Sequence, residues 1–249
     1  MTGAALLSPA TRLLLGILLA LQVLYGIAFI ARTTFEIDGV RYFCLFDDAM
    51  ITMAYGKNFV DGFGLNWAKY GEPVEGYTHP LWLLVCMASN LPGTPLHIRS
   101  LFVQLASLLL LVACALLVFR IMLELQENRG GTDPSWVPAV VLTMTYYPLT
   151  MWSLQGMESA LQACLVLMAF RYVHQLLYKN RPVFLPLCVC LSLALLTRMD
   201  MVLFVLWTLA FVLYEGRRLP ALRRDRAAGL LIIVLPSIAY LAFRIAYFH

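Results

Sequence analysis

Charged residues are scarce in this chain: they make up 13% of its 249 residues, whereas hydrophobic residues make up 61%. Soluble domains contain about a quarter charged and about half apolar residues. A soluble fold of this length cannot bury so many apolar side chains, so the composition excludes that class and indicates an integral membrane protein. The net charge is only +4, which gives no support to nucleic acid as a partner.

Several familiar chemical patterns are also missing. The six cysteines include no C-x-x-C pair and the four histidines have no metal-ligand spacing, so we expect no disulfide framework or zinc site. No Ser-His-Asp or Cys-His set stands out, and the GFG at 62–64 is not a phosphate-binding loop. The carboxylates and arginines are therefore the candidates for chemistry.

Long charge-free segments predict membrane-spanning helices. Residues 13–31 and 101–119 are each close to the ~20 residues that cross a bilayer core. The first segment exceeds the ~7 to 15 apolar residues of a signal peptide, which favours an uncleaved first transmembrane helix over a cleaved signal.

The distribution of basic residues predicts the topology, because short cytoplasmic loops carry the excess of Lys and Arg. Eleven of the 18 Lys and Arg residues form four clusters: Arg12; Arg120 with Arg129; Arg171 with Lys179 and Arg181; and the five arginines from Arg217 to Arg226. If all four face the cytoplasm, an even number of crossings separates each cluster from the next. Residues 136–170, broken at SLQGMES, and 183–214, broken at RMD, are then hairpins rather than single long tilted helices.

A last span at 227–243 completes a single all-α integral membrane domain, residues 1–249, with about seven transmembrane helices. Its large first extracytoplasmic loop, residues 32–100, carries interfacial helices. Residues 81–91 are too short to span, so we expect them to lie in the interface or to re-enter. The glycine-rich and proline-rich stretch before them predicts an ordered loop. Most basic residues then face inward and most acidic residues outward.

Five charged residues are predicted at the outer surface, where they could converge on one site: Asp47, Asp48, Glu158, Arg198 and Asp200. The adjacent aspartates begin an amphipathic helix, and acidic residues in a first turn stabilise a helix through its dipole. The alternative is a general base that deprotonates an acceptor hydroxyl while a lipid-linked donor is attacked. The same pair could hold a divalent cation, the one cofactor that we consider.

Outer cations and aromatic residues suggest how a substrate would be held. Arg99 and Arg198 stand at the outer ends of predicted spans and are the preferred pair for a donor phosphate, or else they snorkel to the interface. His79 could touch a substrate or make a structural hydrogen bond. The loop aromatics, including Trp67 and Tyr77, form either an interface belt or a carbohydrate platform.

Three sequence motifs together resemble a known family. DDAMITMAYGKNFVDGFGLNW, followed by GEPVEGYTHPLW, resembles the first extracytoplasmic loop of bacterial GT-C glycosyltransferases. The closest resemblance is to the arabinofuranosyltransferase-like group, which uses polyprenyl-phosphate sugars. LQGMESAL at 154–161 and LTRMD at 196–200 resemble two further elements of that group. His79 and Met199 depart from its pattern, which has Asn or Ser and Pro at these positions.

The resemblance implies a site and a reaction. It implies that Asp47 is the catalytic base and Asp48 its acidic neighbour. It places Arg99 and Arg198 near the donor phosphate. It implies that Glu75, Tyr77 and Glu158 line or brace the cavity. His79 and Lys57, in the outer loop, are the remaining candidate substrate-binding residues.

The resemblance also implies partners and a location. The enzyme would transfer a sugar, with an arabinofuranose-like pentose favoured, from a polyprenyl-phosphate donor to an extracytoplasmic glycan, lipid or protein in cell-wall biogenesis. It would lie in the bacterial plasma membrane with its active site outside, and contact membrane lipid. Family members continue into a C-terminal region, so we expect this chain to be a fragment, a natural minimal form, or half of a split enzyme whose partner chain supplies that region. The alternatives are a multipass transporter or flippase coupled to ions by the acids, and a non-catalytic GT-C scaffold subunit.

Overall fold

The computed structural model describes residues 8–126 and 134–248, and these are mostly helical. Arg129, which belongs to the second basic cluster, lies outside the described residues. The helices follow in this order: α1 Pro9–Arg32, α2 Asp47–Val60, α3 Pro80–Ser89, α4 Arg99–Gln126, α5 Trp136–Thr145, α6 Tyr147–Leu154, α7 Ser159–Tyr178, α8 Phe184–Thr197, α9 Val202–Glu215 and α10 Pro220–Phe248. Short 3₁₀ turns lie at Leu96–Ile98, Met199–Met201 and Gly216–Arg218.

The membrane character predicted from composition is confirmed by helix length and hydropathy. Within the described ranges, 4 segments are long and apolar enough to cross a bilayer: Pro9–Arg32, Leu96–Gln126, Ser159–Tyr178 and Leu222–Phe248. Shorter apolar helices accompany them, among them α5 and α8. The chain is therefore an α-helical protein of the membrane type.

Two polar interruptions divide the long apolar segments, as the sequence predicts, and a third break at Tyr146, between α5 and α6, is not predicted. Between α6 and α7, Gly156 has φ +95°, and a Cβ there would meet the side chains of Leu45 and Ala49 at 2.9 to 3.1 Å. Only glycine fits this turn without strain. Arg198 takes an extended conformation, φ −151° and ψ 130°, and ends α8.

The chain reverses between α8 and α9. Gly216, just after α9, lies beside Leu177 near the end of α7, so α9 returns to the level at which α8 began. The segment 183–214 is consequently a hairpin.

One end of the helix bundle collects the basic residues. Near the end of α4, Glu124 accepts hydrogen bonds from Arg171 and Gln175 of α7 at 2.6 to 3.2 Å. Gln126 donates to the Ser135 hydroxyl just before α5 at 2.7 Å. Six helix termini therefore meet here: the C-terminal ends of α4, α7 and α9, and the N-terminal ends of α5, α8 and α10. We call this the basic end, and the opposite end the acidic end.

A β-hairpin follows α1 and adds to the expected all-α architecture. Strand β1, Thr34–Ile37, pairs antiparallel with β2, Val40–Phe43. Asp38 and Gly39 connect them with φ +50° and +75°, the two left-handed residues of a type I′ turn. The hairpin leads the chain from α1 to α2.

Helices α2 and α3 pack on each other and on the bundle at the acidic end. Trp82 of α3 is buried among Leu45, Ala49, Met53 and Val103, and its indole Nε1–H donates to the Gly156 carbonyl at 2.7 Å. This bond fixes α3 to the turn before α7. The segment predicted at 81–91 is therefore packed largely against protein.

Candidate functional site

The first turn of α2 presents two exposed carboxylates. Phe46, just before the helix, donates its backbone N–H to the Gln155 carbonyl at 2.9 Å, which fixes the start of α2 beside the α6–α7 turn. Asp47 and Asp48 follow and are exposed. Within the described part of the chain, neither carboxylate makes a hydrogen bond or ion pair, so both are accessible to a ligand. Their negative charges also interact favourably with the dipole of α2.

Beside this turn lies a partly buried set of polar residues that we call the Glu158 cluster: Thr52, His79, Glu158, Arg198 and Asp200. The Glu158 side chain is 1% exposed, and its Oε1 accepts from Arg198 Nη1 at 2.8 Å. Arg198 also donates to the Asp200 carboxylate from Nε at 3.2 Å and from Nη2 at 2.9 Å. One guanidinium therefore joins a buried carboxylate to an exposed one.

His79 connects the cluster to α2. Its Nε2 forms a 2.6 Å hydrogen bond with the Thr52 hydroxyl, and its Nδ1 lies 3.8 Å from Glu158 Oε2. Burial lowers the pKa of His79, the Arg198 charge lowers it further, and the Glu158 and Asp48 charges partly oppose that shift. Asp48 is therefore electrostatically part of the site, and the imidazole is held mainly neutral at pH 7.

The ion pairs keep Arg198 charged. Hydrogen bonds to the Asp200 carboxylate raise the pKa of Arg198, with a further contribution from Glu158. The same bonds lower the pKa of Asp200. Glu158 Oε2, by contrast, has no hydrogen-bond donor within the described residues. The buried carboxylate consequently depends on Arg198 for its counter-charge.

Arg244 of α10 brings a second arginine to this end. Its Nη2 donates to Glu75 Oε2 at 2.7 Å, and its Nη1 lies 3.1 Å from the sulfur of Met199, next to Arg198. The predicted site residue Glu75 is thus linked to the Arg198 turn through α10. Arg244 is not among the predicted site residues, although an arginine inside an apolar span is costly and marks a candidate functional position.

Arg99 and Lys57 lie away from the Glu158 cluster. Arg99 donates to the Thr94 carbonyl and to Asn90 Oδ1, each at 3.1 Å. Lys57 pairs with Asp61 at the C-terminal end of α2. The pKa of Asp61 is lowered mainly by Lys57, with a smaller contribution from Arg99. Both cations therefore belong to the other end of α2, and no contact among the described residues joins Arg99 to Arg198 as the expected donor pair.

Tyr77 is part of a buried hydrophobic cluster with Tyr55, Leu65 and Leu83. Burial raises its pKa, and the nearby Tyr240 and Glu75 add to that shift. The ring also packs edge-on against Phe248 of α10, with the two ring centroids 6.2 Å apart. Tyr77 therefore anchors its loop to α2 and α10.

Among the described residues, the aspartate pair has no further protein ligand for a metal ion. Adjacent residues of a helix do not face each other, so the Asp47 and Asp48 carboxylates diverge. Across residues 8–126 and 134–248, no three His, Cys, Asp or Glu side chains are placed to hold a metal ion. We therefore derive no chemical step through a cation.

The chain was compared with protein-family models, curated proteins and solved structures, and nothing matched. Of the sequence-predicted residues, the structure joins Glu158, Arg198 and Asp200 by hydrogen bonds and places His79 beside Glu158. Asp47 and Asp48 lie on the neighbouring first turn of α2, and their carboxylates make no hydrogen bond or ion pair to this cluster of described residues. Such a site offers exposed carboxylates as proton acceptors and a fixed guanidinium as an anion partner.

Proposed function

We propose that this chain is a membrane glycosyltransferase that moves a sugar from a polyprenyl-phosphate donor to an extracytoplasmic acceptor. The observation that carries the proposal is that the free Asp47 and Asp48 carboxylates begin a helix that is fixed beside the turn carrying the buried Glu158 and its partner Arg198. An exposed base at the same end of the bundle as a fixed cation suits the displacement of a phosphate by a hydroxyl. The sequence resemblance to GT-C enzymes supports the same reaction.

The proposed topology has about seven crossings, namely α1, α4, α5 with α6, α7, α8, α9 and α10. The basic end then faces the cytoplasm of a bacterial plasma membrane. The acidic end faces outward at the membrane surface, where a lipid-linked donor and an extracytoplasmic acceptor can meet. This orientation is supported by the opposite positions of the two charge groups in the bundle.

In the proposed reaction, Asp47 accepts the proton of an acceptor hydroxyl as its oxygen bonds to the anomeric carbon of the donor. The bond between that carbon and the donor phosphate oxygen breaks, and the electron pair leaves with polyprenyl phosphate. Asp47 returns its proton to water. All atoms and charges are accounted for by this single displacement, and no covalent enzyme intermediate is needed.

Arg198 is the residue we propose to face the leaving phosphate. An arginine carries five N–H donors. Three of them are already used: Glu158 accepts from one N–H of Nη1, and Asp200 accepts from Nε and from one N–H of Nη2. Two donors therefore remain for the phosphate. The side chain is 39% exposed, and the two carboxylates hold the guanidinium plane in position.

The direct test is transfer from radiolabelled polyprenyl-phosphate sugars by the purified protein in liposomes, with arabinofuranose and hexose donors compared. Removal of a general base costs about 10²- to 10⁴-fold in rate, so we expect Asp47→Asn to lose at least about 100-fold. Glu36→Gln, which changes an exposed carboxylate of β1, is the matched control and should retain the wild-type rate. Wild-type rates in Asp47→Asn would remove Asp47 as the base.

The same liposomes separate the alternative functions. A transporter would accumulate substrate without transferring a sugar. The buried Glu158, with its free oxygen, is the feature that favours ion coupling. However, it lies at one end of the bundle, whereas transporter sites lie near the membrane midplane in broken helices. A protein that neither transfers nor transports would be a scaffold.

A further inference from the structure

A groove lies between α2 and the loop that follows it, outside the Glu158 cluster. Its volume is about 470 Å³, and it is lined by Ile51, Tyr55, Trp67, Ala68, Gly71, Glu72, Val74 and Gly76. We call it the α2 groove. We propose that it binds the carbohydrate acceptor, a proposal that rests on the glycosyltransferase function proposed above.

The groove is pre-formed, because two buried side chains of α2 hold in place the loop that forms its other wall. Asn58 donates from Nδ2 to the carbonyls of Asn66 and Trp67 at 2.8 and 2.9 Å. Tyr55 donates its hydroxyl proton to the Val74 carbonyl at 2.5 Å. These bonds fix the backbone on both sides of the groove before a ligand arrives. A ligand therefore binds without the cost of ordering the loop.

Gly76 permits this close approach. A Cβ at this position would lie 2.7 Å from the Tyr55 hydroxyl oxygen, closer than non-bonded atoms pack. Any larger residue would displace the Tyr55 hydroxyl from Val74 and open the wall. Glycine is accordingly required for the groove to keep its width.

The lining combines the two groups that recognise a sugar. Trp67 is 55% exposed, and the face of its indole ring is a negative surface that attracts the weakly positive C–H groups of a sugar ring. The exposed Glu72 carboxylate can accept hydrogen bonds from sugar hydroxyls. A volume within the range of about 300–1,000 Å³ is typical of small-molecule sites.

The groove leads to the proposed base. Asp47, Ile51 and Tyr55 are spaced four residues apart on α2, so they form one stripe along the helix, with neighbours about 6 Å apart. Ile51 and Tyr55 line the groove, and Asp47 continues the stripe beyond it. A sugar chain held against Trp67 would therefore extend its terminal hydroxyl toward the Asp47 carboxylate.

A carbohydrate fits this groove better than lipid does. An anionic Glu72 facing acyl chains would be costly, and the site is concave. Tyr70, which is 91% exposed, is the neighbouring aromatic residue outside the lining. It therefore provides a matched control for a membrane-anchoring role of the loop.

Binding is measured first, independently of transfer. Saturation-transfer NMR and tryptophan fluorescence would follow a pentofuranose tetrasaccharide and a hexopyranose tetrasaccharide added to the full chain in detergent micelles. We expect at least one of them to bind. Because Trp67→Ala removes the aromatic face that would stack on the sugar ring, it should raise the Kd of that tetrasaccharide about tenfold or more, and Glu72→Gln should weaken binding similarly. Tyr70→Ala should leave the Kd unchanged.

Transfer kinetics then separate this proposal from the proposed function. We expect Trp67→Ala to raise the acceptor KM about tenfold while the donor KM stays within about twofold. If the wild type binds a tetrasaccharide but uses no donor, the glycosyltransferase proposal fails and the sugar site stands. If transfer depends on Asp47 while Trp67→Ala leaves the acceptor Kd and KM unchanged, the sugar site is overturned.

Two further outcomes would also overturn the sugar site. The first is that neither tetrasaccharide binds. The second is that Trp67→Ala and Tyr70→Ala both weaken association with anionic phospholipid vesicles and leave sugar binding intact, which would make the loop a membrane anchor. Asn58→Ala is the second variant: it keeps the Trp67 ring but releases the wall, so it should weaken binding less than Trp67→Ala.

Discussion

The dependence of Glu158 on Arg198 gives the sharpest prediction for folding at the acidic end. The Glu158 side chain is 1% exposed and takes one hydrogen bond from Arg198 at 2.8 Å. Removing one partner of a buried ion pair costs about 3–5 kcal/mol, because the remaining charge is left uncompensated. Arg198 is 39% exposed, and water that enters its place reduces this cost, so we expect about 2–3 kcal/mol for Arg198→Ala.

A change of this size is measurable as a thermal midpoint. For a chain of 150–250 residues, each kcal/mol shifts the midpoint by about 2–4 °C, so Arg198→Ala should unfold about 4–12 °C below the wild type. The assay is thermal unfolding of the purified protein in detergent, followed by tryptophan fluorescence. Arg224→Ala is the matched control: it breaks the surface pair with Asp225, and such pairs contribute little.

The double variant isolates the interaction itself. Glu158→Gln keeps the shape of the side chain but removes the buried charge, so Arg198→Ala should cost much less in that background. A coupling of about 1–2 kcal/mol between the two changes is expected for a direct buried pair. If Arg198→Ala lowers the midpoint no more than Arg224→Ala, or if its cost is the same in the Glu158→Gln background as beside the native carboxylate, the reasoning is wrong.

Two further predictions concern the same end of the bundle. Burial lowers the pKa of His79, so the folded state resists its protonation. Stability is fully present above the unfolded pKa of about 6.5 and is lost as pH falls through 6.5 toward the folded value. The thermal unfolding midpoint should therefore decrease as the pH is lowered from 7.5 to 5, and it should decrease less in His79→Gln. Trp82→Phe removes the 2.7 Å bond to Gly156 and should destabilise the protein by about 1–3 kcal/mol, measured by the same unfolding assay; an unchanged midpoint would contradict that role.

Two of the three helix breaks within residues 136–170 and 183–214 could be predicted from the sequence, because lipid makes polar residues conspicuous, whereas the break at Tyr146 has no charged residue to mark it. SLQGMES and RMD interrupt apolar runs, and the structure ends α6 and α8 at these places. The start of α2 at Asp47 is likewise indicated by acidic residues before an amphipathic stretch. In each case the information is local, since it depends on a few consecutive residues and on the solvent around them.

The β-hairpin has an equally local signature, although the sequence prediction was all-α. Asp38 and Gly39 form an Asp-Gly pair flanked by FEI and VRYF, which is the composition that a two-residue type I′ turn requires. The surrounding chain is so strongly apolar that helices dominate its pattern. Four-residue strands are short enough to be hidden within such a pattern.

The composition of the site could be predicted only in part. That Glu158 and Arg198 share one end follows from topology, but the contact between Arg244 and Glu75 joins residues 169 apart. No periodicity encodes such a contact. The hydrogen bond of Thr52 to His79 depends on the rotation of α2 about its axis, which is set by the packing of α3.

That rotation explains why α2 serves several purposes at once. Ala49 and Met53 pack against Trp82, and Gly56 allows the α3 backbone to approach, since a Cβ there would lie 3.0 Å from it. With this face fixed, Thr52, three residues after Ala49, is placed to form its hydrogen bond with His79. The stripe that begins at Asp47 must then face the groove. The direction of the proposed base is thus a consequence of core packing on the opposite side of the same helix.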